Sequence, residues 1–440
     1  MAVFSGFSKL NRVQRIDYIL QNSVLNGSEA NGLGDYNSPN ENHQQLYSEM
    51  IENYIGNFPI PMGIVTNMVI NNEKFIVPFV TEESSVIAAA SKAAKFWAER
   101  GGFKAIVTGM VKKGQVHFTW DGKQQLIKKL LPAIKEKILD GTSGLTTKMR
   151  QRGGGITSIQ LIDKTEELSC YYQIDISFET ADAMGANFIN TCLEKISSVL
   201  QNINELNSDG NNVDVIMAIL SNYTPDCLVR CWVECPIEKM EVWNKALSCN
   251  AFATKFKQSV DIANIDISRA VTHNKGILNG IDAVLLATGN DCRATSASAH
   301  AYASRDGQYK GLTTIELTDN TFKYELEIPL AIGTVGGITN IHPMVKNTLA
   351  ILNYPDARKL MMIAAASGLA SNFAAIASLI TTGIQAGHMK MHLSNILNQL
   401  YANHLESEEA RCYFTDKAVS YAAVEALIQK IRKKDEFIGD

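Results

Sequence analysis

The spacing of hydrophobic positions changes period several times along the chain, and each change predicts a new element. Apolar residues recur at helical spacing over 8–21 and again over 85–100, where Gly101-Gly102 predicts the end of the second helix. Between these helices, β-branched runs on either side of Asn71-Asn72 predict a β-hairpin. The first hundred residues therefore predict a mixed helix-and-strand segment.

The stretch from about 112 to 222 predicts a compact β-α-β-β-α-β unit. Strand-like alternation over 111–120 precedes an amphipathic helix that Pro132 is expected to interrupt and Gly141 to end. Two strand-like runs, a helix with Asp182 near its start, and a final strand over 213–220 complete the order. This order is typical of a ferredoxin-like fold and differs from the βαβαβ order of a Rossmann fold.

The remaining pattern predicts a strand, several helices and one further hairpin. The strand spans 227–236 and places Cys227, Cys231 and Cys235 on one face, which we expect to be buried. Helical segments follow over 237–263 and 269–288, then a hairpin turned at Asp319-Asn320 and a Gly-rich loop at 333–337. The last 50 residues are polar, Lys-rich and helical, as an appended module would be.

Residues 361–387 form a charge-free run that is long enough to span a bilayer. Its composition is mostly Ala, Ser, Gly and Thr, with Asn372 and Gln385 inside, and such small residues let helices approach closely. We therefore expect a helix buried in a protein core, and no membrane association.

Composition narrows the class of protein. Lys plus Arg is 41 and Asp plus Glu is 45, so the net charge is 41 − 45 = −4, which argues against a basic nucleic-acid-binding face. Hydrophobic residues at 46% and charged residues at 20% are ordinary for a globular protein. Eight Cys in 440 residues are too few for a disulfide scaffold, and the first residues lack a signal-peptide pattern. We expect a reducing, cytoplasmic location.

The densest concentration of polar groups in an apolar setting lies at 269–294. Lys275 precedes the apolar run ILNGIDAVLLA, where a lysine near a carboxylate can hold its charge and stabilise a developing oxyanion. A surface lysine at a helix start is the ordinary alternative, and the pattern leaves both open. Glu82-Glu83 likewise either complements the N-terminus of a helix or provides a buried general acid.

Other motifs carry weaker signals. His388 and His392 are four apart, but a third ligand and an HEXXH motif are missing, so we expect no metal. DAMGAN (182–187) and RGGG (152–155) each suit a phosphate, because free N–H groups and glycines allow close backbone approach. Together, inside one small α/β unit, they favour a nucleotide-binding module over plain turns.

A set of motifs resembles those of the 3-hydroxy-3-methylglutaryl-CoA reductase family, in its soluble, bacterial (class II) form. The motifs occur in the order of that family and extend across nearly the whole chain. They are ENYIG (52–56), VTEESSVIAAAS (80–91), DAMGAN (182–187), RAVTHNKGILNGIDAVLLATGND (269–291), GTVGG (333–337) and GIQAGHM (383–389).

The resemblance implies an α+β fold in two domains with a flap. A large, mostly helical substrate domain would comprise 1–111 and 223–385, and a ferredoxin-like dinucleotide-binding domain would be inserted at 112–222. A helical flap would follow at 386–440. The resemblance also implies a homodimer with its active site at the subunit interface.

The activity implied is the reduction of (S)-3-hydroxy-3-methylglutaryl-CoA to (R)-mevalonate and free CoA, with four electrons delivered as two hydrides. Lys275 would stabilise the oxyanion, and Glu83 would be a general acid with a raised pKa. Asp291 would join both in one network, and His388 would protonate the departing CoA thiolate.

The same resemblance assigns the binding residues. Ser85, Arg269 and Asn279 would contact the substrate. Contacts to the dinucleotide would come from Asp182, Met184, Gly185, Asn187 and Asn222. The run TTKMRQRGGG contains Lys148 and Arg150 where some relatives have an acid that binds the ribose of NAD, so we expect NADPH in preference to NADH.

Three alternatives stay open at this stage. The same enzyme could run oxidatively in mevalonate degradation. A CoA-thioester lyase or acyltransferase could use His388 with a cysteine nucleophile, although no Cys-centred motif supports it. A non-catalytic binding module could keep the fold, although the presence of Glu83, Lys275, Asp291 and His388 together argues against it.

Overall fold

The structure is a computed structural model that describes residues 5–24, 32–208, 211–243, 247–381, 383, 393–415 and 417–436. The helices are α1 (Arg12–Asn22), α2 (Glu41–Glu49), α3 (Ser84–Ala98), α4 (Gln124–Gln151), α5 (Ala186–Gln201), α6 (Cys249–Ile265), α7 (Ile267–Ala287), α8 (Cys292–Ala303), α9 (Pro343–Ile351), α10 (Ala357–Leu379), α11 (393–399), α12 (His404–Tyr413) and α13 (Tyr421–Glu436). The strands are β1 (Met62–Ile70), β2 (Glu73–Val80), β3 (Lys104–Val107), β4 (Val111–Trp120), β5 (Gly155–Asp163), β6 (Tyr171–Glu179), β7 (Val213–Ser221), β8 (Leu228–Pro236), β9 (Thr313–Leu317) and β10 (Thr321–Pro329).

The larger core is formed by a hairpin, an antiparallel sheet and the helices around them. The hairpin β1–β2 turns at Asn71 and Asn72, both in the left-handed region that asparagine tolerates, as the sequence predicted. The sheet has the order β3-β8-β10-β9, and Cys227, Cys231 and Cys235 are buried along β8 as expected. Glu83 and Lys275 both belong to this part of the chain.

Helix α10 passes through the middle of this core. It is the one described helix long and apolar enough to cross a membrane, and 89% of its most apolar window is buried inside the protein. Gly368 lies against Ile281 of α7, and Gly280 of α7 lies against Ser367. The small residues of α10 therefore allow two core helices to approach closely, as the composition of the charge-free run predicted.

The second core belongs to the predicted ferredoxin-like unit. Its strands form one antiparallel sheet in the order β5-β6-β4-β7, and the chain order β4-α4-β5-β6-α5-β7 confirms the predicted β-α-β-β-α-β unit. Alternate residues of β4 and β6 point into the core, where Phe118, Trp120 and Phe178 are almost fully buried. The α+β architecture expected from the sequence is thus present.

Helix α4 departs from the sequence prediction. The expected interruption at Pro132 and end at Gly141 are both wrong, since α4 continues unbroken to Gln151. Burial of Ile134 and Ile138 against the sheet stabilises the helix despite the backbone hydrogen bond that proline cannot donate. Gly141 serves close packing, because a Cβ there would lie 2.6 Å from a methyl carbon of Val199 on α5.

Helix α5 also begins later than predicted. Its first residue is Ala186, so Asp182 lies four positions before it, in a turn. The Asp182 carboxylate accepts a hydrogen bond from the backbone N–H of Ala357 at the start of α10. Asp182 therefore ties the small α/β unit to the larger core.

The C-terminal helices α11, α12 and α13 form a third, separate cluster. An Asn403–Glu406 capping box begins α12, and Glu406 pairs with Arg432 of α13 at 2.7 Å. The apolar residues of this cluster are Leu393, Ile396, Leu397, Ala410, Phe414, Val424, Ile428 and Ile431. The segment predicted to be a flap thus contains a hydrophobic core of its own.

Candidate active site

Helix α7 presents the lysine that the sequence singled out, and buried polar contacts fix its position. Asn274 accepts a hydrogen bond from Leu312 N–H and donates one to the Lys310 carbonyl, at 2.9 Å each. The His273 ring bonds to Thr313, and burial, aided by the nearby Arg269 charge, lowers the pKa of His273 to about 3. His273 is therefore neutral and structural, and the backbone just before Lys275 is locked to its surroundings.

Lys275 and Glu83 form an ion pair. The Lys275 ammonium lies 2.8 Å from the Glu83 carboxylate, although the two residues are far apart in the chain. Glu83 precedes the first residue of α3, and Ser85 donates a hydrogen bond to its other oxygen at 3.1 Å. Glu83 is the N-cap residue of α3 but makes no side-chain capping hydrogen bond, so its charge can complement the helix N-terminus while its carboxylate contacts Lys275 and Ser85.

The ion pair lies in a cavity of about 470 Å³. Asn279, one turn after Lys275 on α7, lines the same cavity. Arg269 lies on α7 six residues before Lys275, and burial lowers its pKa. The wall combines polar groups with the apolar side chains of Val80, Val271, Leu278, Ala283 and Leu286.

The cavity also contains Asp282, a carboxyl group to which the sequence pattern assigned no role. Asp282 is on the same face of α7 as Lys275, two turns further along, which is the signal that could have identified it. One of its oxygens is buried without a hydrogen-bond partner among the described residues, and burial raises its pKa to about 6. The cavity therefore holds, besides Glu82 and Glu83, a carboxyl group whose pKa lies well above its ordinary value.

Cys292 lines the same cavity but is a poor candidate nucleophile. Burial, together with the nearby negative charges of Asp282 and Asp291, raises the pKa of its thiol to about 12. Attack requires the thiolate, which is scarce at neutral pH under these conditions. The geometry thus disfavours the alternative of an acyltransferase with a cysteine at this position.

A second group of motifs meets at the junction between the two cores. Gly333 N–H donates to the Asn290 side chain at 2.8 Å, and Thr334 N–H donates to the Asp182 carbonyl at 2.8 Å. Ala183 and Val335 form an isolated β-bridge. DAMGAN, the end of the 269–291 block and the GTVGG loop are therefore assembled into one structure, although they are far apart in sequence.

A cavity of about 590 Å³ opens beside this assembly. It is lined by Asp182 and its neighbours, by Val335 and Gly336, and by Arg152. The two basic residues predicted from the sequence, Lys148 and Arg150, are on the last turn of α4 and are not among the described lining residues. Arg152 is the basic side chain placed there, next to the Gly153–Gly155 turn that ends α4.

The other predicted dinucleotide contacts lie at the start of α5 or close to it. Gly185 adopts φ +91°, and α5 begins there without a side-chain cap. Asn187 is on the exposed first turn of α5. Met184 and Asn222 line a narrow cavity of about 20 Å³ beneath it. A helix N-terminus without a cap, beside a cavity with an arginine, suits an anionic ligand such as a dinucleotide diphosphate.

Asp291 does not contact Lys275 within the described chain. Its carboxylate caps α8, accepting hydrogen bonds from Arg293 N–H and Ala294 N–H, and pairs with the Arg293 guanidinium at 3.3 Å. Burial alone would raise the pKa of Asp291, but these hydrogen bonds and the guanidinium charge lower it. The expected network of Asp291 with Lys275 and Glu83 is therefore not formed by one chain.

The remaining predictions concern His388 and the absence of a metal site. His388, the predicted proton donor to the thiolate, lies outside the described residues. Among the residues that are described, no group of three or more His, Cys, Asp or Glu side chains is arranged to hold a metal ion.

Comparison with known proteins agrees with this geometry. A family model for hydroxymethylglutaryl-coenzyme A reductase matches residues 11–393. The 3-hydroxy-3-methylglutaryl-coenzyme A reductase of Archaeoglobus fulgidus is 35% identical over 395 residues, covering 89% of this chain and 86% of that protein. The probable reductase of Borreliella burgdorferi is 33% identical over 417 residues, covering 91% and 90%.

Solved structures give the same result. The 3-hydroxy-3-methylglutaryl-coenzyme A reductase of Streptococcus pneumoniae matches with a TM-score of 0.73 and 31% identity, covering 98% of this chain and 100% of that one. A class II reductase of the same organism, bound to NADPH in open conformations, matches with a TM-score of 0.71 and 32% identity, covering 86% and 100%. With its fold, its motifs and its Lys275–Glu83 cavity, this chain belongs to the hydroxymethylglutaryl-coenzyme A reductase family.

Proposed function

We propose that the protein reduces (S)-3-hydroxy-3-methylglutaryl-CoA to (R)-mevalonate and CoA with NADPH, as a step of isoprenoid biosynthesis. The observation that carries this proposal is the Lys275–Glu83 ion pair inside a cavity of about 470 Å³. A cation and a carboxyl group at one point suit a carbonyl that gains negative charge and then a proton. Family membership supplies the identity of the substrate.

Lys275 and Glu83 have complementary roles in this mechanism. When bound, the reduced dinucleotide supplies a hydride to the thioester carbonyl and later one to the aldehyde. Lys275 stabilises the negative charge that develops on the carbonyl oxygen, and Glu83 delivers a proton to that oxygen. Ser85 orients Glu83 through its hydrogen bond, and we assign Arg269 and Asn279 to the substrate, with Arg269 suited to its carboxylate.

We propose that Asp291 completes the site from a second copy of the chain. Cys292, next to Asp291, donates a weak hydrogen bond to the Asp282 carbonyl at 3.7 Å. Asp282 is seven residues beyond Lys275, which corresponds to about 10 Å along a helix axis. In this proposal Lys275 and Glu83 of one chain act together with Asp291 and the dinucleotide motifs of a second chain, and a homodimer would join the two sets.

The dinucleotide half of the site has a chemistry that suits NADPH. The α5 N-terminus would receive the diphosphate, with Asp182, Met184, Gly185, Asn187 and Asn222 around it. A 2′-phosphate needs a cation, and Arg152 provides one at the cavity edge, with Arg150 and Lys148 shortly before it on the last turn of α4.

The final part of the proposal concerns release of CoA. We assign His388 as the group that protonates the CoA thiolate, which prevents the thiolate from attacking the aldehyde. Residues 386–440 would act as a flap, 112–222 as the dinucleotide-binding domain, and 1–111 with 223–385 as the substrate domain. We further propose a cytoplasmic location.

A coupled assay tests the function directly. Purified protein should oxidise NADPH, followed by its absorbance, only when 3-hydroxy-3-methylglutaryl-CoA is present, with two NADPH consumed per CoA thiol released. The reverse reaction, mevalonate with CoA and NADP⁺, and both directions with the non-phosphorylated cofactor should have a lower kcat/KM. Thioester cleavage without any nicotinamide would contradict the proposal and favour a lyase or acyltransferase.

A further inference from the structure

Lys112 is the most unusual buried group outside the Lys275 cavity. It is on β4, on the side of the sheet that carries Val116 and Phe118 into the core, and its exposure is only 3%. Its ammonium nitrogen is buried without a hydrogen-bond partner among the described residues. A buried cation with no partner is costly, so its presence calls for a compensating charge.

The charged and titratable groups around Lys112 do not provide that compensation. Glu179 of β6 and Asp182 act on it only through space, and Asp182 already accepts a hydrogen bond from Ala357 N–H. The Cys227 thiol is neutral because burial raises its pKa, and Arg358 of α10 adds a like charge. Burial outweighs the attraction of the acids and lowers the pKa of Lys112.

Lys112 lines a small cavity at the start of α5. It lines the cavity of about 20 Å³ together with Met184, Ala186 and Asn222. Ala186 is the first residue of α5, whose N-terminus has no side-chain cap and carries the positive end of the helix dipole. An unpaired ammonium and an uncapped helix N-terminus thus lie together, and an anion bound at that N-terminus relieves both.

We propose that Lys112 is the buried counter-charge for the diphosphate of the dinucleotide, acting from beneath the N-terminus of α5. This inference rests on the dinucleotide site proposed above. The cavity has room for about one water molecule and not for a phosphate, so Lys112 acts through space and not by contact. In the protein interior such an interaction is much stronger than in water.

Lys112→Met tests this inference, because methionine keeps much of the length of the side chain and removes its charge. The Kd for NADPH, measured by fluorescence titration, should rise at least about 10-fold, while the KM for the acyl-CoA substrate changes little. The cofactor-free variant should melt at a higher temperature than the parent, because an uncompensated buried charge has been removed. A weaker affinity for NADPH combined with a higher melting temperature is the result expected if Lys112 is the counter-charge.

Lys113→Met is the matched control. Lys113 is the next residue of β4, on the opposite face, and forms a half-exposed ion pair with Asp226 at 3.1 Å. Its loss should leave the Kd for NADPH within about twofold of the parent, since exposed pairs contribute little. ADP-ribose, which contains the diphosphate, should lose affinity in Lys112→Met, whereas 2′-AMP, which lacks it, should not.

Other outcomes overturn the inference. An unchanged NADPH affinity in Lys112→Met, in a parent enzyme that turns over, refutes the role of Lys112 and leaves the proposed function standing. A parallel loss of affinity and thermal stability marks Lys112 as merely structural. A parent protein that fails to bind NADPH refutes the proposed dinucleotide site itself.

Discussion

At the scale of single residues, the Lys275–Glu83 pair joins two segments that are 192 positions apart in the chain. The Lys275 side chain is 61% exposed, and exposed ion pairs contribute at most about 1 kcal/mol to the free energy of unfolding. The pair therefore has little value for folding. Its position in the cavity is consistent with the catalytic role proposed above.

The first prediction follows from this separation of stability from activity. Lys275→Met should lower kcat by a factor of about 100 to 1,000 or more, because the charge on the reacting oxygen loses its partner. The melting temperature should change little. Lys257→Met is the control, since Lys257 forms a similar exposed pair with Asp261 at 2.7 Å on α6 and lies outside the cavity. Equal losses of activity in both variants would contradict the assigned role.

Asp282 gives a second prediction, concerning pH. Its pKa of about 6 in the folded protein lies above the ordinary 3.8, so the folded state binds more protons between these values. Stability contributed by this group is therefore present below about pH 4 and is lost as pH rises through 6. Asp282→Asn, which cannot ionise, should be more stable than the parent at pH 8 by about 1–2 kcal/mol, allowing for solvent screening.

Denaturant unfolding of both proteins at pH 4 and pH 8 measures this effect. The difference in the free energy of unfolding should be present at pH 8 and close to zero at pH 4. A difference that is the same at both pH values would mean that the carboxyl group does not titrate as its burial indicates.

At the scale of elements, the contact between α7 and α10 holds the lysine-bearing helix. A Cβ on Gly280 would overlap the backbone carbonyl oxygen of Ser367, so the two helices are closer than any side chain at that position allows. The small residues of α10 therefore serve helix–helix packing and, through α7, the geometry of the site.

A pair of glycine substitutions tests this contact. Gly280→Ala should reduce the free energy of unfolding by about 1–3 kcal/mol, because the inserted methyl group overpacks the core. Gly144→Ala, on α4 where nothing lies within 4 Å, should instead increase it by about 0.5–1 kcal/mol through helix propensity. Thermal or denaturant unfolding gives both values, and a stabilised Gly280→Ala would show that the helices can separate without cost.

Local sequence patterns predicted most helices and strands but not where every helix ends. The β-α-β-β-α-β order, the Asn71-Asn72 turn and the buried cysteines of β8 follow from period and turn chemistry, which are local properties. Helix α4 continues past Pro132 and Gly141 because of packing against the sheet and against Val199, and such contacts are not visible in a local window. For the same reason Arg152, and not Lys148 or Arg150, lines the cavity.

At the scale of the whole molecule, the functional motifs form two sets of contacts. One contains Glu83 and Lys275, and the other contains the 182–187 turn, the 333–337 loop and Asp291. The order of motifs along the chain contains no sign of this division, because Asp291 is only 16 positions after Lys275 and both belong to one motif. After the turn between α7 and α8, the Asp291 carboxylate caps α8 and pairs with Arg293, and within the described chain it does not contact Lys275.

The proposed dimer predicts complementation between two inactive proteins. Lys275→Ala and Asp291→Ala should each be inactive as homodimers. After the two are unfolded together and refolded at equal concentration, about half of the dimers are mixed and each has one intact site, so about a quarter of the parent activity should return. If Asp291 acted within its own chain, both sites of the mixed dimer would remain defective and no activity would return.

The buried contacts of His273 and Asn274 have a further consequence for the two hydride steps. They fix the rotation of α7 about its axis, and a rotation by one residue would turn the Lys275 side chain by about 100°. Both proposed hydride steps would therefore use an ammonium group that projects from the same fixed position on α7.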